Sequence, residues 1–469
     1  GTQGRGLDSN NEPTIPLQTQ PIDTNLDIYG FFLQETLSWD NKLFLTLAGR
    51  IDGATNFDVD ERSNFYPKVS GSYVLSNEPF WNTESFLNSA RLRASYGEAG
   101  NLTAISPYER YGSYTSNDYL GSSTLQQNTR LGNEGLKPER TKEFEIGTDL
   151  SFFNNRASLL FTYYRQNIED LIVSRVLAPS LGGSTRTENV GTMRNNGIEL
   201  YAKITPIKTD DLTWDLNFNY SSNRNKVLST VGGDITIESV TGAPPIVREG
   251  EALGVFYGTY YATDDNGELI LTGESTDGSP VGVPQQERGD LTTNTPQRDA
   301  DGQPTGDVLR KVIGDPNPDY ILGIGTDLTY KNFNFSMLWE AVQGFDVFDA
   351  DKRTRQGVGV GQLAAQELTG ELPRGYIAGI YPIEEFRIED GSFVKLREVS
   401  LGYEFPSLFN SSLENVRLSL IGRNLVSFDK FFSYDPETNA GGQSNLLRSV
   451  NFGNVPIPMT ISLSLSANF

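Results

Sequence analysis

Residues 319–341, "DYILGIGTDLTYKNFNFSMLWEA", alternate apolar and polar side chains on both sides of Lys331-Asn332. Tyr320, Leu322, Ile324, Leu328 and Tyr330 share one parity before that turn, and Phe333, Phe335, Met337 and Trp339 share one after it. Alternate residues of a strand point to opposite faces, so this stretch is a hairpin with one greasy face and one polar face. A soluble sandwich strand reads the same way, with its greasy face inward. The rest of the chain has to choose between the two.

The pattern repeats outward in both directions. "EFEIGTDLSFF" sets Phe144, Ile146, Leu150 and Phe152 against Glu145, Asp149 and Ser151, and turns at Asn154-Asn155. "LTWDLNFNYSSN" sets Leu212, Trp214, Leu216, Phe218 and Tyr220 against Asp215, Asn217, Asn219 and Ser221. The chain closes on "MTISLSLSANF", where Ile461, Leu463 and Leu465 alternate with Ser462, Ser464 and Ser466. Segments of this kind predict thirteen strands, near 26–39, 42–52, 65–75, 88–98, 142–153, 156–167, 195–205, 211–223, 319–330, 332–343, 393–405, 414–427 and 457–469. The connections alternate too. Short turns ("DN", "NN", "KTDD", "KN") face long excursions at 99–141, 223–318, 343–391 and 428–454.

Short turns on one side, long loops on the other and strands of about ten residues describe an outer-membrane barrel, apolar outward and polar inward. Nearly every strand carries Glu, Asp, Asn, Arg or Ser on its second face, which a sandwich core could not bury unpaired. Trp39, Tyr73, Tyr220, Tyr330 and Tyr403 near strand ends suit interfacial girdles. The expected class is therefore an all-β, antiparallel transmembrane barrel with long extracellular loops. A soluble secreted carbohydrate-binding β-protein is the alternative from another class.

Composition narrows the function. The 469 residues carry 60 acidic and 38 basic side chains, a formal charge of -22, which argues against a nucleic-acid partner. Cysteine and histidine are absent, so there is no thiol nucleophile, His-based acid/base pair or disulfide framework. Glu145 and Asp149 share a strand face, but lumen-facing charges recur on every strand and a solvated wall explains them. No catalytic residue is assigned. No run of eighteen apolar residues encodes a membrane helix, and the first residues carry neither a signal peptide nor a lipid-attachment cysteine.

Six stretches resemble the SusC/RagA type of TonB-dependent transporter: "LRASYGEAGN" (92–101), "GLKPERTKEFEIGTDLSFFNNR" (135–156), "NVGTMRNNGIEL" (189–200), "IGDPNPDY" (313–320), "SFVKLREVSLGYEFP" (392–406) and "LIGRNLVSFDKFFSYDPE" (420–437). Their order and spacing are similar to the C-terminal half of such a protein. The resemblance implies a share of a 22-stranded barrel, import of a glycan or peptide, a SusD-like surface lipoprotein as lid, and energy from TonB acting through an N-terminal plug. Neither plug nor TonB box is found here. A siderophore or cobalamin receptor without the lid is the alternative importer. Thirteen strands is an odd number, and parity places residue 1 on the long-loop side. Residues 1–25 are thus expected to be an extracellular loop remnant and 26–469 an open partial barrel, its first and last strands unpaired with each other. Phe469 resembles the terminal aromatic that barrel-assembly machinery reads.

Candidate substrate contacts lie in the long loops. Tyr108, Tyr111, Tyr114 and Tyr119 form one cluster, and Phe256, Tyr257, Tyr260 and Tyr261 another; aromatic faces stack on sugar rings or peptide groups. No cofactor is expected, apart from calcium at "RDADGQPTGD" (298–307), where Asp299, Asp301 and Asp307 fall at ligand spacing. There Gln303, Pro304 and Arg310 depart from the calcium-loop pattern. "TDDNGELI" (263–270) is expected to be a hairpin turning at Asn266-Gly267.

Overall fold

All thirteen expected strands form in the computed structural model, which describes residues 25–120, 122–237, 242–273, 282–405, 414–442, 444 and 446–468. They are β1 (Ile28–Trp39), β2 (Leu43–Ala54), β3 (Ser63–Val74), β4 (Leu87–Asn101), β5 (Glu139–Phe152), β6 (Ala157–Glu169), β7 (Gly191–Lys208), β8 (Leu212–Thr230), β9 (Tyr320–Tyr330), β10 (Phe333–Gln343), β11 (Phe393–Phe405), β12 (Glu414–Asp429) and β13 (Thr460–Asn468). Each pairs antiparallel with its predecessor in one continuous sheet. Among the described residues β1 and β13 are its two edges and do not pair with each other. Phe469, and the expected loop remnant apart from Asn25, lie outside the described residues.

The turns form where the residue types allow a left-handed backbone. Asp40 and Asn41 both have positive φ, and Lys42 N–H closes onto Trp39 C=O at 2.9 Å, a turn whose twist matches the flanking strands. Lys331, with φ 50°, reverses the β9–β10 hairpin.

Register aligns the greasy parity across strands. Trp214 lies opposite Leu328, Leu328 opposite Phe335, Phe335 opposite Leu401, Leu401 opposite Leu420 and Leu420 opposite Leu463. This row remains uncovered: Leu401 is 51% and Leu463 72% exposed. No second sheet packs on it, because the remaining strands of the described residues are short and sit in the long excursions. That removes the soluble sandwich, whose leucines would be packed between layers. Two aromatic belts bound the greasy band. Trp39, Tyr73, Tyr330 and Tyr403 mark the short-turn ends, while Tyr220 stacks on Tyr320 and Trp339 on Phe428 toward the other rim.

The polar parity lines the concave side. Phe44, Lys68, Ser70, Arg93, Ser95 and Glu145 surround one shallow cavity there. Substituting Leu463→Arg is therefore expected to cost about 2–4 kcal/mol near a bilayer midplane and to depress assembly into lipid vesicles. Ser464→Arg, on the other face, should assemble like the parent. Equal folded fractions on a heat-modifiability gel would reverse the assigned faces.

The buried cores lie elsewhere, among the long excursions 55–62, 102–138, 170–190, 231–319, 344–392 and 430–459. One gathers Leu171, Val173, Val190, Met193, Val227, Ile235, Val247 and Leu253. Another holds Ala243, Phe256, Phe348, Leu447 and Val450. A third contains Phe57, Ile105 and Leu136. Met193 and Val227 face each other across β7 and β8, which run several residues past the boundaries the sequence suggested. Their outer ends thus support the loop layer.

Candidate substrate path and outer loops

Cross-strand pairs populate the concave wall. Arg93 donates to Asp149 at 3.0 Å and to Thr162 at 3.3 Å, and Ser95 to Glu145 at 3.1 Å. Gln166 donates to Glu143 at 2.6 Å, Lys203 pairs with Asp215 at 3.1 Å, and Asn217 donates to Asp327 at 3.0 Å. Glu145 and Asp149 are thus each tied to a different neighbour. A cavity of about 510 Å³ lies over Arg93, Thr162, Glu199, Tyr201, Asn219 and Glu340. Such a wall offers hydroxyls, amides and both signs of charge to a polar solute.

At the outer end of this wall two of the quoted motifs meet. Lys395, 5% exposed, donates to Asp435 at 2.6 Å and to Glu437 at 3.1 Å. Arg397 reaches Glu340 at 3.0 Å and Glu437 at 2.7 Å. Burial alone would push the Asp435 carboxyl up, but Lys395 and the N–H groups of Glu437 and Ile457 outweigh it and hold it below the usual carboxylate range. "FVKLRE" on β11 is therefore bolted to "SYDPE" of the 430–459 excursion.

The excursions are knitted to one another. Glu384 accepts from Thr259 N–H at 2.9 Å and pairs with Arg310 at 2.9 Å, while Glu385 accepts from Tyr261 N–H at 2.8 Å. Asp349, fully buried, caps helix α1 (Ala350–Gly357) by accepting from Lys352 N–H at 3.0 Å. Its carboxylate also accepts from Asn451 at 2.9 Å and Ser433 at 2.5 Å, which joins 344–392 to 430–459.

The expected aromatic contacts separate into two kinds. Tyr108, Tyr111, Tyr114 and Tyr119 are all exposed. Tyr114 and Tyr119 stand at the ends of one strand of a two-stranded hairpin, and Arg110 covers the ring of Tyr111. The second cluster is largely packed. Phe256 is completely buried, its ring 5.7 Å from that of Phe348, and the structure removes it from the candidate contacts. Arg248 sits over Tyr257 and Lys311 over Tyr260, and burial pushes the Tyr261 hydroxyl far above its ordinary pKa. An aromatic flanked by glycine looks alike in sequence whether it faces solvent or a loop core.

The aspartates of 298–307 do not converge. Asp299 accepts from the N–H groups of Asp301 and Gln303 at 2.9 and 2.8 Å, and Gly302 closes the turn at φ 77°. Asp264 does the same for Asn266 and Glu268, with Gly267 at φ 84°. The two are the same hairpin turn, D-x-N-G and D-x-D-G, and the second Gly was the signal. Asp307 belongs to a separate short strand, paired with Gly289. Among the described residues no three carboxylates stand close enough to hold a metal ion.

Sequence reasoning missed the helical part of 344–392. Helices α1, α2 (Gln362–Thr369) and α3 (Tyr376–Ile380) border an open cavity of about 850 Å³ lined by Gln356, Glu367, Leu368, Arg374, Ile377 and Tyr381. "QLAAQELTG" was the readable signal, strong helix formers ended by Gly370 in the left-handed region.

Residues 2–425 match the model of the TonB dependent receptor-like β-barrel. The chain belongs to this family. Its barrels sit in the outer membrane. The chain is 30% identical to TonB-dependent receptor P3 of Formosa agariphila over 97% of its own length and 47% of that protein's. It is 25% identical to TonB-dependent receptor SusC of Bacteroides thetaiotaomicron over 100% of its length and 46% of the relative's. The chain therefore spans about half the length of these relatives. A structure of the RagAB peptide transporter superposes with a TM-score of 0.75 at 22% identity, covering 94% of this chain and 47% of that one. The fold is therefore the SusC/RagA-type receptor barrel, and these relatives are receptors and transporters rather than enzymes.

Proposed function

We propose that the protein imports a large polar nutrient, an oligosaccharide or a peptide, across the outer membrane, with a SusD-like lipoprotein as lid and TonB supplying energy. The observation that carries this reading is a polar concave wall beneath a layer of interlocked outer loops, in a chain that aligns with SusC over its whole length. Exposed Tyr108, Tyr114 and Tyr119, with Tyr111 beneath Arg110, are loop aromatics that can stack on sugar or peptide faces.

The test is uptake by cells that carry or lack the full-length protein, offered pooled labelled oligosaccharides and peptides, with and without an active TonB system. Loss of one pool's uptake on deletion, and the same loss without TonB, is expected. A lipoprotein should co-purify in mild detergent. Unchanged uptake of both pools, with a deficit confined to iron or cobalamin chelates, would overturn the reading.

A further inference from the structure

The 102–138 excursion carries a sheet that lacks a third strand. Among the described residues the other sheets of the long excursions have three or four strands, whereas this one has two, Tyr114–Tyr119 and Ser122–Gln127. Every residue of the second strand is exposed, and Tyr114 and Tyr119 of the first are 65% and 68% exposed. A two-stranded hairpin with nothing buried is marginal in water, and a third strand is what gives such a sheet stability of its own.

The backbone shows where that strand would lie. At the root of the hairpin Asn128 N–H donates to Ser113 C=O at 2.8 Å. Inward bonding therefore falls on Ser113 and, by alternation along the ladder, on Thr115, Asn117 and Tyr119. The N–H and C=O groups of Tyr114 and Ser116 point away from Ser122–Gln127, and no other strand pairs with that edge among the described residues. Such outward groups recur at every second residue, about 6.8 Å apart. An extended peptide repeats at the same interval and offers the complementary donor and acceptor each time. A saccharide has no amide repeat in its chain and cannot continue the ladder.

The edge is also unguarded. Strands that must stay unpaired are blunted by Lys, Pro or a bulge. The stretch "YTSNDYLGSSTLQQ" (114–127) has no Lys, Arg or Pro, and its register runs without a shift. Tyr114 and Tyr119 fall on opposite faces of their strand, where each can pair with an aromatic or β-branched side chain of an added strand. The other edge, Ser122–Gln127, offers no aromatic residue.

We propose that the Tyr114–Tyr119 edge captures peptide substrates by strand addition, with the N–H and C=O groups of Tyr114 and Ser116 holding an extended backbone and the two tyrosines packing on its side chains. The assignment rests on the import reading and names a peptide as its substrate class.

The test is calorimetric binding of a blocked heptapeptide of alternating threonine and valine, its fully N-methylated form and xylohexaose to the detergent-solubilised full-length protein. Ser116→Pro deletes an outward N–H and leaves the hairpin's own bonds in place, since proline is tolerated on an edge where its N–H would face solvent. Leu125→Pro, opposite Ser116 in the ladder, does the same to the other edge. Expected are binding of the heptapeptide, none of its N-methylated form, a loss of about tenfold or more in Ser116→Pro and parent-like affinity in Leu125→Pro. No binding of the heptapeptide, undiminished binding of the N-methylated form, equal affinity of Ser116→Pro and parent, or an equal loss in Leu125→Pro overturns the edge assignment. Preference for xylohexaose overturns the peptide class. A lipoprotein that co-purifies with the parent but not with Ser116→Pro, or a dimer that Ser116→Pro breaks, also overturns it, because the edge then holds a partner's strand. Uptake by cells is followed in parallel. Import of oligosaccharides without peptides, or peptide import equal in parent and Ser116→Pro, overturns the edge assignment while the import reading stands; no uptake of saccharide or peptide overturns both.

Discussion

Replacing Lys395 by methionine is expected to destabilise the protein by about 3 kcal/mol, since it takes the buried cation away from the largely buried carboxylate of Asp435, while the more exposed Glu437 keeps Arg397. Asp435 and Glu437 converge on Lys395, and of the two Arg397 pairs with Glu437. The 430–459 excursion should loosen first, seen as faster amide exchange there and earlier urea unfolding in detergent, with the sheet intact. Asp435→Asn in the Lys395→Met background should recover part of the loss. The same network predicts a response to acid. The carboxyl of Asp435 has a folded pKa below its unfolded one, so its contribution is complete above the ordinary aspartate value of about 4. It is lost as pH falls through the lower folded value. A Lys395→Met protein as stable as its parent, or with the parent's acid profile, would contradict this assignment.

Phe256→Ala is expected to cost about 3–5 kcal/mol, the range for emptying a buried aromatic site. The ring is fully enclosed by Ala243, Phe348, Leu447 and Val450, contributed by three different excursions. The lost stability should appear as proteolysis within 231–319, 344–392 and 430–459 together. Tyr114→Ala, at an exposed hairpin position, should fall within about 0.5 kcal/mol of the parent. If Tyr114→Ala unfolds the loops as readily as Phe256→Ala, the division between packed and free aromatics is wrong.

The strands were legible because their information is local. Residue parity along "DYILGIGTDLTY" assigns a face without knowing the partner strand, and the short turns at Asp40-Asn41 and Lys331-Asn332 mark their own positions. The loop layer was not, because its residues are sorted by contacts distant in the chain. Phe256 and Tyr114 each sit among small and polar neighbours. Only the arrival of Phe348, from nearly a hundred residues on, makes one a core residue. Asp299 shows a nearer miss: read against a calcium loop it was a first ligand, whereas its Asp301-Gly302 step carries the same hairpin chemistry as Asn266-Gly267.

The two kinds of connectivity also set a temporal order for folding. Every strand of the large sheet bonds to the preceding strand of that sheet, so the wall can grow one strand at a time, and even across the longest excursion, where Ser221 of β8 lies opposite Ile321 of β9, the cost of closure rises only with the logarithm of loop length. The clasp between Thr259 and Glu384 joins residues 125 positions apart, and that between Asp349 and Asn451 spans 102. Neither can close until the strands between have brought the excursions to the same rim. The cap is therefore expected to close after the sheet, and damage to the sheet is expected to cost the loops their common rim as well.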